Sequence, residues 1–103
     1  MAYQDNGTLT DDGTTDEVQV SGYVTCSAHY DSGTGTMTWQ FKGPDGVWRS
    51  IYAGSNGTTE QAFSSSHIST LHFGGDVRVR GNLSSSSSPQ IDWQIISSSL
   101  NRV

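Results

Sequence analysis

A chain of 103 residues, 32% of them hydrophobic and twelve of them glycine, makes one domain with a modest core and many turns. Ten carboxylates against five Lys and Arg leave a net charge of −5. That balance argues against a grip on nucleic-acid phosphates, because counterion release needs basic contacts. No apolar run reaches the length of a membrane-spanning helix. A single cysteine, Cys26, excludes an intramolecular disulfide and fits synthesis in a reducing cytoplasm.

The start of the chain is polar and carries neither a basic nor an apolar leader pattern, so no secretion signal is expected. Residues 1–16 hold Asp5, Asp11, Asp12 and Asp16, no basic residue, and only Tyr3 and Leu9 as sizeable apolar groups. Such a stretch cannot bury enough surface to offset its ordering entropy. It is expected to be a flexible acidic arm, either solvated or ordered on a neighbouring subunit through Tyr3 and Leu9. The folded domain is then residues 17–103.

Strand alternation begins at once, with Val18 and Val20 on one face. After Gly22, Val24, Cys26, Ala28 and Tyr30 share a face against Thr25, Ser27 and His29, which makes Cys26 a buried structural thiol. Residues 31–35 read as a loop. The strongest local signal spans residues 35–52, where Met37, Trp39 and Phe41 alternate with Thr38 and Gln40 up to Gly43-Pro44-Asp45-Gly46. Pro44 presets φ, Asp45 bonds its own backbone and Gly46 takes positive φ, so a β-hairpin is predicted. Beyond the turn, Val47 and Ile51 fall on one face and Trp48 and Tyr52 on the other.

Asn56-Gly57 suits a second tight turn. Phe63, Ile68, Leu71 and Phe73 are then expected in the core. Gly74-Gly75 leads to a strand with Val77 and Val79 inward and Arg78 and Arg80 outward. Residues 84–88, all serine, read as a flexible loop ended by Pro89. The last strand, residues 90–97, places Ile91, Trp93 and Ile95 in phase. About seven or eight short strands and no helical periodicity predict an all-β fold, an antiparallel β-sandwich of Ig-like or jelly-roll-like kind.

Catalytic chemistry finds little support. His29, His67 and His72 lie in no nucleophile context, and no Gly-x-Ser-x-Gly elbow is present. His67 and His72 alone, five residues apart, do not make a zinc ligand set. No enzyme, metal or cofactor is expected. Trp48 and Tyr52, out of phase with Val47 and Ile51, fit a core position, a subunit interface or a platform for stacking sugars. Arg78 and Arg80 are candidates for pairing with an acidic surface or an acidic arm of a neighbour, or simply protect a strand from edge pairing.

The Asp45-Gly46-x-Trp48 turn, the later Gly75-x-Val77-Arg78-Val79 strand and the closing Ile-x-Trp-x-Ile strand resemble small β-sandwich domains of tailed-bacteriophage virion proteins. The resemblance covers roughly residues 17–97. It implies a structural virion role, foremost a capsid decoration (cement) protein made in the host cytoplasm. Such a protein would form a homotrimer bound to the major capsid protein or another virion protein. A tail or fibre component is the alternative within the class, and a carbohydrate-binding β-sandwich module the alternative outside it.

Overall fold

The computed structural model describes residues 3–53, 57 and 59–97. Among them the fold is all-β, with antiparallel pairing throughout and no helix. The strands are β1 (Tyr3–Leu9), β2 (Gly13–Thr14), β3 (Val18–Lys42), β4 (Trp48–Ser50), β5 (Tyr52–Ala53), β6 (Thr59–Glu60), β7 (Ala62–Phe63) and β8 (His67–Ser97). Where about seven or eight short strands were expected, two long ones, β3 of 25 residues and β8 of 31, carry most of the pairing.

Neither long strand is straight. Twenty-five extended residues would span about 80 Å, yet the longest dimension of the molecule is 41 Å. Both strands therefore bend back and enter two pairing sets. In the first, residues 24–28 of β3 lie between residues 67–71 and 93–97 of β8, and β1 adds itself outside residues 91–97. In the second, residues 78–84 of β8 pair with residues 36–42 of β3, residues 77–79 also pair with residues 18–20, and β4 and β7 flank β3 on its far side.

The bends fall where the backbone permits them. Gly22 and Gly33 have φ of 69° and 79°. At Gly33 a Cβ would stand 2.2 Å from the Ser88 carbonyl oxygen, so only glycine fits beside the returning β8. The predicted hairpin forms with Gly43 and Gly46 closing the turn at 3.0 Å, Gly46 at φ 78° and Lys42 opposite Trp48. That is a type I turn followed by a left-handed glycine.

One core joins both sets. Val20, Val24, Cys26, Met37, Trp39, Val79, Leu83, Ile91 and Ile95 are all at or below 1% exposure. Leu9, Phe41, Phe63, Phe73 and Val77 pack around them. Polar contacts fasten the segment between β2 and β3 to the second set. Thr15 donates its backbone N–H to the Gly81 carbonyl, and the Gly81 N–H donates to Thr15 Oγ1, both at 2.9 Å.

Four expectations change. The segment expected to be a flexible arm is paired here: β1 runs in continuous register from Tyr3 opposite Ser97 to Leu9 opposite Ile91, and β2 pairs with Leu83 and Asn82. Its few apolar groups suffice because it adds to an edge already built. Ile68 is 76% exposed, since Ser69 and Leu71 take the inward phase of that strand. Residues 31–35, expected to be a loop, run within β3, with Ser32 opposite Gln90 and Thr34 opposite Ser87. The serine run is no loose loop. Ser84 and Ser87 pair with Thr36 and Thr34, Ser85 and Ser88 take left-handed φ of 54° and 46°, and the Ser86 N–H donates to Asp12 Oδ1 at 2.9 Å. The Asn56-Gly57 turn lies outside the described residues.

Candidate functional site

Strand register brings several of the candidate residues onto one outer face. Lys42 is opposite both Trp48 and Arg78, and Gln40 is opposite both Ser50 and Arg80. All of these alternate with the inward Trp39 and Val79, so they point away from the core. The Arg80 guanidinium lies 4.2 Å from the Trp48 ring centroid and Lys42 Nζ lies 5.8 Å from it. Arg80 Nε also donates to Gln40 Oε1 at 2.9 Å, which fixes the guanidinium over the indole. Each cation–π contact is worth about 0.5–1 kcal/mol at such a site. Arg78 keeps half of its side chain exposed and reaches only a long contact, 3.9 Å, with Glu17. A depression of about 600 Å³ opens between Gln19, Lys42, Asp76 and Arg78.

The remaining candidates lie elsewhere. Tyr52 is exposed on β5 and lines a separate hollow with Phe41, Leu71 and Phe73. Trp48 and Tyr52 thus do not form one stacking platform, and Arg80 already covers the Trp48 ring. Leu9 packs on the core of its own chain. Tyr3 enters β1 opposite Ser97, and its side chain lies outside the described residues.

A second surface escaped sequence reasoning. The outer face of the first pairing set carries Thr8, Asp92 and His29 in one cross-strand row, and Asn6, Gln94, Ser27 and Ile68 in the next. Together they line a groove of about 830 Å³. Thr8 Oγ1 donates to Asp92 Oδ1 at 2.8 Å. Only the pairing of β1 with β8 brings these rows side by side, and the apparent solvation of residues 1–16 hid it.

The titratable groups outside these surfaces serve the fold. His67 and His72 lie on opposite faces of their strand and cannot share an ion. Among the described residues no group of three or more His, Cys, Asp or Glu could hold a metal. His67 Nδ1 is 2.8 Å from the Ser65 carbonyl and donates to it, which leaves Nε2 to accept the Trp39 Nε1–H at 2.8 Å. The ring stacks on Phe63 at 3.9 Å, and burial lowers its pKa. Cys26 is fully buried, and desolvation pushes its thiol up to about 12. Asp45 forms a two-point pair with Arg49, which with the Val47 N–H holds its carboxyl down to about 2.

Compared with protein-family models, with curated proteins and with solved structures, the chain matches none.

Proposed function

We propose that this chain is a structural virion protein of the capsid decoration type, a homotrimer that binds an assembled shell and its own copies. The observation that carries the reading is the clustering of Lys42 and Arg80 over Trp48, with Arg78 opposite Lys42 on the next strand, on one outer face of an otherwise acidic chain. Trp and Arg are the residues that dominate protein–protein contacts, and here they are held ready by neighbours. The resemblance to phage virion domains over residues 17–97 supports the same reading. The two pairing sets then correspond to the two layers of an antiparallel β-sandwich, with the basic face on the outside of one layer.

Such a protein acts by mass action. Binding the assembled shell and not its free subunits stabilises the shell, and several copies per assembly raise avidity. The test is co-sedimentation with purified capsids lacking the protein, followed by heating of the decorated shells. Saturable binding and a higher disruption temperature are expected. Absence of binding overturns the capsid role and transfers the question to tails and fibres.

A second reading, glycan binding, moves from Trp48 and Tyr52 to the groove lined by Asn6, Gln94, Asp92 and Ser27, whose amides, carboxylate and hydroxyl suit a polyhydroxylated ligand. A glycan array decides it. Signal lost in Asn6→Ala and Gln94→Ala supports this reading, and a blank array removes it.

A further inference from the structure

A sheet edge leaves backbone N–H and C=O groups without a ladder partner, and natural sheets guard such edges with charges, proline or bulges. The first pairing set has two edges, β1 on one side and residues 67–73 of β8 on the other. β1 is guarded, because half-buried Asp5 stands there in the inward phase, opposite Ile95. In the second set the β4 edge carries Arg49, paired with Asp45. Residues 67–73 read His-Ile-Ser-Thr-Leu-His-Phe and hold no carboxylate, Lys, Arg, proline or glycine.

That stretch pairs in unbroken register with residues 22–28, from Phe73 opposite Gly22 to His67 opposite Ala28. Among the described residues nothing pairs with its other side. Beside residues 70–73 lies a hollow of about 400 Å³, with Tyr52 and Ala53 of β5 across it. The direction of the backbone groups follows from Tyr30, whose N–H donates to Ser66 Oγ at 2.8 Å and so points towards this side. Alternation along β3 turns the groups of Ala28, Cys26 and Val24 the same way, and these satisfy His67, Ser69 and Leu71 opposite them. The N–H and C=O groups of Ile68, Thr70 and His72 therefore point away from β3. Ile68 at 76% and Tyr23 at 61% are also the most exposed large apolar groups among the described residues.

We infer that residues 67–73 are a docking edge for a second copy of this chain, paired antiparallel about a two-fold axis at Thr70. The strand itself specifies that occupant, because its register is self-complementary. Thr70 meets Thr70 of the second copy, and Ile68 and His72 of each copy meet His72 and Ile68 of the other. Every outward donor then faces an outward acceptor. With no carboxylate, Lys or Arg along the strand, no like charges are opposed. Ile68 lies against a His72 ring that already contacts Tyr23, at 4.7 Å between centroids, so the pairing covers both exposed apolar groups. The contact is isologous and goes beyond the proposed homotrimer, since trimers meeting through it pair into a dihedral assembly.

Light scattering over a range of concentrations, with amide hydrogen exchange, tests the contact. A single strand pair is a small interface, so pairing is expected to depend on concentration. At high concentration the mass should be an even multiple of the chain. The Ile68, Thr70 and His72 amides should then exchange at least about tenfold more slowly than in dilute protein, with Leu71 unchanged. Thr70→Pro removes an outward donor, and proline is tolerated on an edge where the N–H faces solvent. That variant should halve the mass.

Near-UV circular dichroism checks folding. Where Thr70→Pro does not fold, Ile68→Lys replaces it, because it changes only an exposed side chain and guards the edge with a charge. A halved mass in the folded variant supports the contact. A wild-type monomer or odd multiple at every concentration, or a folded variant of unchanged mass, overturns it. A dimer that the variant splits keeps the edge contact and removes the trimer, whereas a trimer that neither concentration nor variant changes does the reverse.

Discussion

Trp39 and Trp48 stand on the two strands of one hairpin and do opposite work. Trp39 is fully buried and its indole N–H is donated to His67. Trp48 lies half-buried on the outer face under Arg80 and Lys42. Composition cannot separate them. What does is phase: Trp39 alternates with Met37 towards the core, whereas Trp48 sits opposite Lys42 on the outward side. One indole holds the fold together and the other is a surface the fold presents.

The largest expected effect is on the inner side. Trp39→Ala empties the centre of the core and leaves the buried face of His67 without its donor. A loss of about 3–5 kcal/mol is expected in chemical denaturation. A loss near that of Trp48→Ala would erase the distinction between the two indoles.

Next comes Gly81, which lies directly opposite Trp39. A Cβ there would meet Met37 Sδ at 2.7 Å and Trp39 Cζ3 at 2.8 Å. The ring carbon belongs to a packed indole that cannot retreat, so Gly81→Ala should cost about 1–3 kcal/mol through overpacking. Gly46→Ala tests a different cause, since a Cβ there meets nothing within 4 Å and only its positive φ opposes the change.

On the outer side, Trp48→Ala should lower stability by only about 1 kcal/mol, from half-burial and the cation contacts. Its effect on assembly should be much larger than its effect on unfolding. A variant that unfolds readily yet still assembles would place Trp48 with the core. Cys26 gives a readout of the inner side without mutation. A thiol raised to about 12 and fully buried should react with a disulfide reagent only as fast as the chain unfolds.

Much of this inner side was legible from residue order alone. Alternation identified Val20, Val24, Cys26, Met37, Trp39, Val79, Ile91 and Ile95, and turn chemistry placed the bend at Gly46. The misreadings share one cause, which is pairing between residues far apart in the chain. Residues 1–16 looked solvated because their partner, residues 91–97, is some eighty-five positions away. The serine run looked loose because Asp12 and residues 34–36, which hold it, also lie far away in the chain. Ile68 looked like core because an irregular stretch gave no phase, and pairing of Ser69 with Cys26 set it. The groove over Asn6, Asp92 and Gln94 followed the same rule.

The smallest predicted effect sharpens the comparison most, because it isolates one hydrogen bond. In the native fold His67 is neutral, donating from Nδ1 and accepting from Trp39 at Nε2. Protonation would set two donors against each other inside a partly desolvated site, and the native pKa is accordingly lowered. The unfolded chain then binds the proton more readily than the folded one below about pH 6.5. The contribution of His67 is thus complete above that pH and is lost as pH falls towards the depressed native value. Thermal midpoints measured between pH 8 and pH 5 should decline for the wild type. His67→Gln offers an oxygen to the Trp39 N–H and cannot titrate there, so part of the decline should disappear. Parallel curves for the two proteins would show that the proton leaves this pair undisturbed. Trp48, with no histidine beneath it, should keep its fluorescence across the same range while that of Trp39 changes.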